Sequence, residues 1–141
     1  MTEPNLAAKW ASWAPQLRSI FRIVAAAMFI VAGTIKVFAF PIGVPPNGGT
    51  VPVMSEAWIG GVLELVGGGL LLVGLFTRPV AFVLSGEMAV AYFQFLFPQS
   101  FWPHVNNGVP AVLYCFLWLY FSAAGAGPWS LDALRGKSVG S

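Results

Sequence analysis

Residues 56–97 read EAWIGGVLELVGGGLLLVGLF-TR-PVAFVLSGEMAVAYFQFLF, which are two apolar runs joined by Thr77-Arg78. Each run has about the 20 residues that an α-helix needs to cross the hydrocarbon core of a bilayer. Because the connection is so short, the second helix must return beside the first, and the stretch predicts an antiparallel hairpin of membrane spans. Pro79 stands where proline is favoured, at the first helical position of the second run.

The composition of the whole chain agrees with a lipid environment. Of the 141 residues, 57% are hydrophobic and only 9% are charged, whereas soluble domains have about 25% charged residues. The formal net charge of +2 is too small to indicate a nucleic-acid partner. The single cysteine, Cys115, excludes an internal disulfide and predicts a small buried side chain.

Two further apolar runs flank the hairpin, so we predict an all-α fold, a four-helix bundle within the membrane. The predicted spans are at about residues 19–40, 56–76, 79–97 and 107–124. They form a bundle over residues 19–124, between an interfacial arm at 1–18 and a tail at 125–141. Helical spacing of apolar side chains in the arm favours a short helix on the membrane surface over a disordered segment.

The distribution of lysine and arginine predicts the orientation. Six basic residues lie near span ends on one side: Lys9, Arg18, Arg22, Arg78, Arg135 and Lys137. The connections between the first and second spans and between the third and fourth contain none. Basic residues accumulate in cytoplasmic loops, so both termini of the chain are expected on the cytoplasmic side, N-in and C-in.

Four charged residues fall within or beside the predicted spans, where each costs about 2.5–3.5 kcal/mol on insertion scales. Lys36 ends the first span and Glu56 opens the second at the same surface, so we expect them to pair. The alternative for Glu56 is a solvated carboxylate at its helix N-terminus. Glu64 lies roughly 12 Å deeper, on a helix face rich in glycine, and this face is expected to pack inside the bundle.

Glu87 lies on the third span, and Gln94, seven residues later, shares its face. In an antiparallel hairpin the carboxylates of Glu64 and Glu87 approach each other near the middle of the membrane. Two buried carboxylates close together do not both ionise, so the pair is a candidate site for a proton, a cation or a polar ligand. The alternative is a structural role as hydrogen-bonding groups between helices.

The remaining motifs suggest no self-sufficient catalytic site. His104 lies in the third connection and is a candidate quinone donor or metal ligand, with an ordinary exposed histidine as the alternative. There is no paired-histidine haem pattern, no cluster of metal ligands and no nucleophile–base arrangement. The candidate ligand-binding residues are therefore Glu64, Glu87, Lys36, Gln94 and His104, with no metal predicted.

Several motifs, spread in order over nearly the whole chain, resemble those of the DoxX family of small membrane proteins. They are Gly33-Thr34-Ile35-Lys36, residues 64–69 (ELVGGG), 74–78 (GLFTR), 85–93 (SGEMAVAYF), Phe101-Trp102-Pro103, Asn106, Leu113-Tyr114-Cys115 and 127–132 (GPWSLD). Members of this type commonly have a histidine where this chain has Leu96, and Asn-Gly-Gly-Glu where it has residues 106–109 (NNGV). Roles carried by that histidine or glutamate do not transfer.

The resemblance implies a multi-pass protein of the cell inner membrane, associated with respiratory or redox systems. Related proteins look like subunits of a thiosulfate:quinone oxidoreductase, and others associate with oxidative-stress enzymes. The expected function is therefore an accessory subunit of a quinone-linked redox complex, with quinone as the candidate cofactor. The alternative is a small-molecule or ion binding or transport protein built around the buried carboxylates.

Overall fold

A computed structural model describes residue 3 and residues 5–139 of the chain, which form helices and loops without a β-strand. The helices are α1 (Leu6–Ala11), α2 (Ala14–Phe38), α3 (Glu56–Val73), α4 (Thr77–Ala91), α5 (Pro103–Asn106), α6 (Val109–Ala124) and α7 (Leu131–Val139). A π-helical segment, Tyr92–Leu96, continues α4. The prediction of an all-α fold is confirmed.

Three helical segments are long and apolar enough to cross a membrane: Ala14–Phe38, Glu56–Val73 and Thr77–Leu96. The fourth predicted span corresponds to α6, which is apolar but has only 16 residues. It begins at Val109 and not at 107, because Asn107 takes a left-handed conformation with φ 60° and interrupts the helix. At the other end of the chain, α2 begins at Ala14, five residues before the predicted start at residue 19.

The turn between α3 and α4 differs from the prediction. Thr77 and Arg78 already belong to α4, and the chain reverses at Gly74, Leu75 and Phe76. Gly74 has φ 71° and Phe76 has φ 51°, so two left-handed residues make the reversal. Pro79 is consequently the third helical residue and not the first, a position where the backbone N–H would still lack an intrahelical partner.

Two kinds of contact hold the helices α2, α3, α4 and α6 together: close backbone contacts at glycines and contacts between large aromatic rings. The helix α2 packs along α3, and α4 packs along α6. Glycines bring α2 and α3 close, since a Cβ on Gly33 would lie 2.7 Å from the carbonyl oxygen of Gly61. Large rings fill the space between α2 and α6, where Phe29 lies 5.1 Å from Tyr114 and 5.5 Å from Trp118 between ring centroids.

The segment after α6 is tied to the bundle by Arg22, whose side chain is fully buried. Its Nε donates to the carbonyl oxygen of Leu71 at 2.8 Å, near the C-terminus of α3. The two terminal nitrogens donate to the carbonyl oxygens of Ala126 and Trp129. The cation complements the negative C-terminal end of α3, and its bonds to Ala126 and Trp129 fix the path of the tail.

A second tie comes from Asp132, in the first turn of α7. Its carboxylate accepts the backbone N–H groups of Phe76 at 2.8 Å and Thr77 at 2.9 Å, at the start of α4. Burial by itself would raise the pKa of Asp132, but hydrogen bonds from Thr77 and Phe76 and the charge of Arg135 outweigh it and hold that pKa below its ordinary value. The carboxylate therefore acts as the cap of α4.

Candidate functional site

A cavity of about 830 Å³ lies among the four long helices, at the end where α2 finishes and α3 begins. Every long helix contributes to its walls, which are mostly apolar. Its polar side chains are Lys36, Glu56, Glu64, Glu87, Gln94, Asn107 and Tyr114. This space is named the carboxylate cavity below. Its volume lies within the range of about 300–1,000 Å³ that is usual for small-molecule sites.

A short ion pair stands in the carboxylate cavity. The Nζ of Lys36 lies 2.6 Å from the Oε1 of Glu64, and the Glu64 side chain is only 1% exposed whereas that of Lys36 is 32% exposed. The prediction from the sequence that Lys36 pairs with Glu56 is therefore wrong. The physical reason is the close contact between Gly33 and Gly61, which sets α2 against α3 so that Lys36 meets α3 about two turns beyond Glu56.

Glu87 enters the carboxylate cavity from α4. A Cβ on Gly60 would lie 3.1 Å from its Oε1, so Glu87 reaches α3 one turn from Glu64. The Oε2 atoms of both glutamates are buried, and neither has a hydrogen-bond partner within the described residues. Buried oxygens of this kind are costly when unpaired. Both carboxyl groups line the carboxylate cavity, which has room for a ligand beside them.

The exposed polar edge of the carboxylate cavity is formed by Glu56 and Gln94. The side-chain amide of Gln94, on the π-helical segment, donates to Oε2 of Glu56 at the start of α3. This bond joins the ends of two neighbouring helices, with both side chains exposed. Glu56 is thus not bound to Lys36, and it is an exposed carboxylate in the first turn of α3, as the alternative prediction held.

Comparison with known proteins agrees with this architecture. The DoxX family model matches residues 17–97, more than half of the chain. This chain belongs to the DoxX family. An uncharacterised protein of Haemophilus influenzae (strain ATCC 51907 / DSM 11121 / KW20 / Rd) is 47% identical over 124 residues, covering 84% of this chain and 90% of the relative. No solved structure matches the chain.

In this DoxX protein, His104 stands apart from the other candidate residues. It lies on the short helix α5, is exposed, and does not line the carboxylate cavity. Of the five residues named from the sequence, the structure brings together Lys36, Glu64, Glu87 and Gln94. The described residues contain no group of three or more histidine, cysteine or acidic side chains placed to hold a metal ion.

Sequence reasoning did not assign roles to Arg22, Asp132 or Tyr114 of this DoxX protein. Tyr114 lines the carboxylate cavity and stacks on Trp118, and in an apolar run of aromatic residues it has no distinguishing pattern. Arg22 was counted only as a basic residue near a span end. A usable signal did exist for Asp132, because Ser130-Leu131-Asp132 resembles a helix start with an acidic first turn.

Proposed function

We propose that this DoxX protein binds a lipophilic molecule with a polar head, of the quinone class, in the carboxylate cavity. The observation that carries the proposal is the convergence of the Lys36–Glu64 ion pair and Glu87 on one mostly apolar cavity of about 830 Å³. A quinone has a ring and chain that suit apolar walls and carbonyl oxygens that accept hydrogen bonds. Lys36 supplies ammonium donors to such an oxygen.

The biological role proposed with it is that of an accessory subunit in a respiratory or redox complex of the inner membrane. The resemblance to DoxX proteins associated with quinone-linked enzymes supports this role. A protein that holds a quinone without an oxidising centre of its own requires a partner to change the redox state of that ligand. The partner is expected to be another membrane-bound redox protein.

The proposed placement in the membrane is a bundle of four spans, with α6 as the fourth, and with both termini in the cytoplasm. The three longer segments and the apolar α6 support four crossings. Basic residues flank the end where α2 begins, and none occurs in the connections at the opposite end. In this orientation the carboxylate cavity lies in the outer half of the membrane.

A second candidate function is the binding or transport of a cation or a small polar molecule. It is favoured by the charge balance of the carboxylate cavity, whose lining has three carboxylates, Glu56, Glu64 and Glu87, and one cation, Lys36. The two unpaired Oε2 atoms would be oxygen ligands for such an ion. In this alternative the apolar walls serve only to exclude water.

The test is to purify the protein from its native membrane in mild detergent, extract it with organic solvent and identify bound quinone by chromatography. Ala111 lines the carboxylate cavity, so Ala111→Phe should fill it and reduce the retained quinone to the level of empty micelles. Val66→Phe is the matched control, since Val66 is 60% exposed and lies outside the cavity lining.

Wild-type protein with no more quinone than Ala111→Phe would contradict quinone binding. Retention of a cation in place of quinone, lost on Glu87→Gln, would support the second candidate function. Protein partners that co-purify are identified by mass spectrometry in the same preparation. A stable redox enzyme among them is the result expected for an accessory subunit.

A further inference from the structure

A second cavity, of about 610 Å³, lies at the opposite end of the bundle from the carboxylate cavity. Its walls come from the first residues of α2, the start of α4, and the segment from the end of α6 to α7. The side chains that matter here are Arg18, Arg78 and Asp132, set among prolines and glycines. This space is named the tail groove. Arg22, described above as a structural tie, does not line it.

The two arginines of the tail groove offer more donors than the protein uses. The Nε of Arg18 is buried and has no hydrogen-bond partner in the described part of the chain. Arg78 is exposed and donates from one terminal nitrogen to the carbonyl oxygen of Ala123. A guanidinium carries five donor hydrogens, so most of those on Arg78 are available to a ligand.

The one acidic group in the tail groove is already engaged. Each oxygen of the Asp132 carboxylate accepts a backbone N–H, one from Phe76 and one from Thr77. Two guanidinium groups and one committed carboxylate leave a net positive charge. An anion in the tail groove would offset the charge of both guanidinium groups and accept hydrogen bonds from their N–H groups.

The position of the tail groove identifies the source of the anion. Trp13 and Trp129 lie near the same end of the bundle, and they are 51% and 52% exposed. Exposed tryptophans of a membrane protein lie at the level of the lipid headgroups. Arginine is the side chain best suited to phosphate oxygens, since its planar donors match them in pairs.

We propose that the tail groove binds the phosphate group of an anionic phospholipid headgroup, held by Arg18 and Arg78. The bound lipid joins the start of α2, the start of α4 and the tail, three segments that Ser19, Arg22 and Asp132 also connect at this end. Free phosphate compounds share the recognition chemistry. The site is separate from the carboxylate cavity, so it stands or fails independently of the proposed function.

The experiment is native mass spectrometry of the full chain in detergent, with phosphatidylglycerol, phosphatidylcholine or inorganic phosphate added. Wild type should retain one phosphatidylglycerol per chain, with an affinity roughly tenfold above that for phosphatidylcholine, as expected for one charge-assisted contact. Arg18→Gln should lose about that factor of ten. The matched control is Lys9→Gln, which removes one charge from the exposed helix α1 outside the tail groove and should change binding less than twofold.

Arg78→Gln provides a second variant, and circular dichroism of each variant establishes that it is folded. The proposal is overturned if folded Arg18→Gln and Arg78→Gln both retain phosphatidylglycerol as wild type does, or if Lys9→Gln loses as much as they do. If the protein retains inorganic phosphate but no lipid, the tail groove is a phosphate site, and the proposal that a lipid supplies the phosphate is overturned. The proposal is supported if bound phosphatidylglycerol is displaced by inorganic phosphate only at high millimolar concentrations.

Discussion

At the scale of single residues, the glycines of α3 have different surroundings although they are close in sequence. A Cβ on Gly67 would lie 2.8 Å from Cδ1 of Leu84 on α4, and one on Gly68 would lie 2.7 Å from Cγ1 of Ile30 on α2. A Cβ on Gly69 would meet no atom within 4 Å. Two of these three adjacent glycines therefore permit close helix packing, and the third does not contribute to it.

Gly67→Leu should destabilise the protein, because the new side chain must displace Leu84 from the core. Overpacking of this kind costs about 1–3 kcal/mol. Gly69→Leu is the matched control on the same helix, and it should leave stability unchanged or raise it slightly through better helix propensity. Thermal unfolding of both variants in detergent measures the difference. Equal midpoints for the two variants would show that the Gly67 face does not support the α3–α4 contact.

At the scale of elements, the helix α4 begins without a capping side chain of its own, since its N-cap residue is Phe76. The cap comes from Asp132, 55 residues later than Thr77. The same segment returns a bond to the turn, where the N–H of Asp132 donates to the carbonyl oxygen of Gly74 at 2.9 Å. The tail thus supplies hydrogen-bond partners at both ends of the turn between α3 and α4.

Asp132→Asn should lower stability at neutral pH by about 1 kcal/mol, because the amide lacks the charge that a helix N-terminus favours and one of the two acceptor oxygens. The pKa of Asp132 lies below its ordinary value in the folded protein, so its stabilising charge is fully present above the unfolded pKa of about 3.9. That contribution is lost as the pH falls through the lower folded pKa, and the two proteins should then converge.

Melting temperatures in detergent at pH 7 and at about pH 2 measure this convergence. Glu3→Gln serves as the control, because Glu3 is an exposed carboxylate outside the helices, and this variant should follow wild type at both pH values. A difference between Asp132→Asn and wild type that stays constant with pH would mean that the charge of Asp132 does not stabilise α4.

At the scale of the whole molecule, the two cavities lie at opposite ends of the bundle and differ in charge. The carboxylate cavity is lined by Glu56, Glu64 and Glu87 with one lysine, and the tail groove contains two arginines with one aspartate. The proposed topology assigns the basic end to the cytoplasm, where the leaflet is also rich in anionic lipid. A measured orientation therefore bears on both proposals.

Reporter fusions after Thr50 and after Gln99 should give a periplasmic signal, because neither connection contains lysine or arginine. A fusion at the C-terminus should give a cytoplasmic signal and serves as the internal control. A cytoplasmic signal from either loop fusion would contradict the four-span topology. A periplasmic C-terminus would mean that α6 does not cross the membrane.

Much of the fold could be predicted from local composition. A span is recognised by the summed transfer free energy of about 20 consecutive residues, and that quantity requires no knowledge of neighbouring helices. Membership of the DoxX family likewise followed from motifs and was confirmed. Helix ends were less predictable, since the reversal at Gly74–Phe76 depends on left-handed residues, and phenylalanine gives no sign of that conformation.

The candidate site divides in the same way. Charges within apolar runs singled out Lys36, Glu64 and Glu87 from the sequence, because a charge in lipid is too costly to be there without a partner. The choice of partner required the tertiary structure. Whether Lys36 meets Glu56 or Glu64 depends on the axial offset and rotation of α2 against α3, and the contact of Gly33 with the Gly61 backbone sets both. The cap supplied by Asp132 is likewise a contact between distant segments, whose geometry is fixed only when the helices pack.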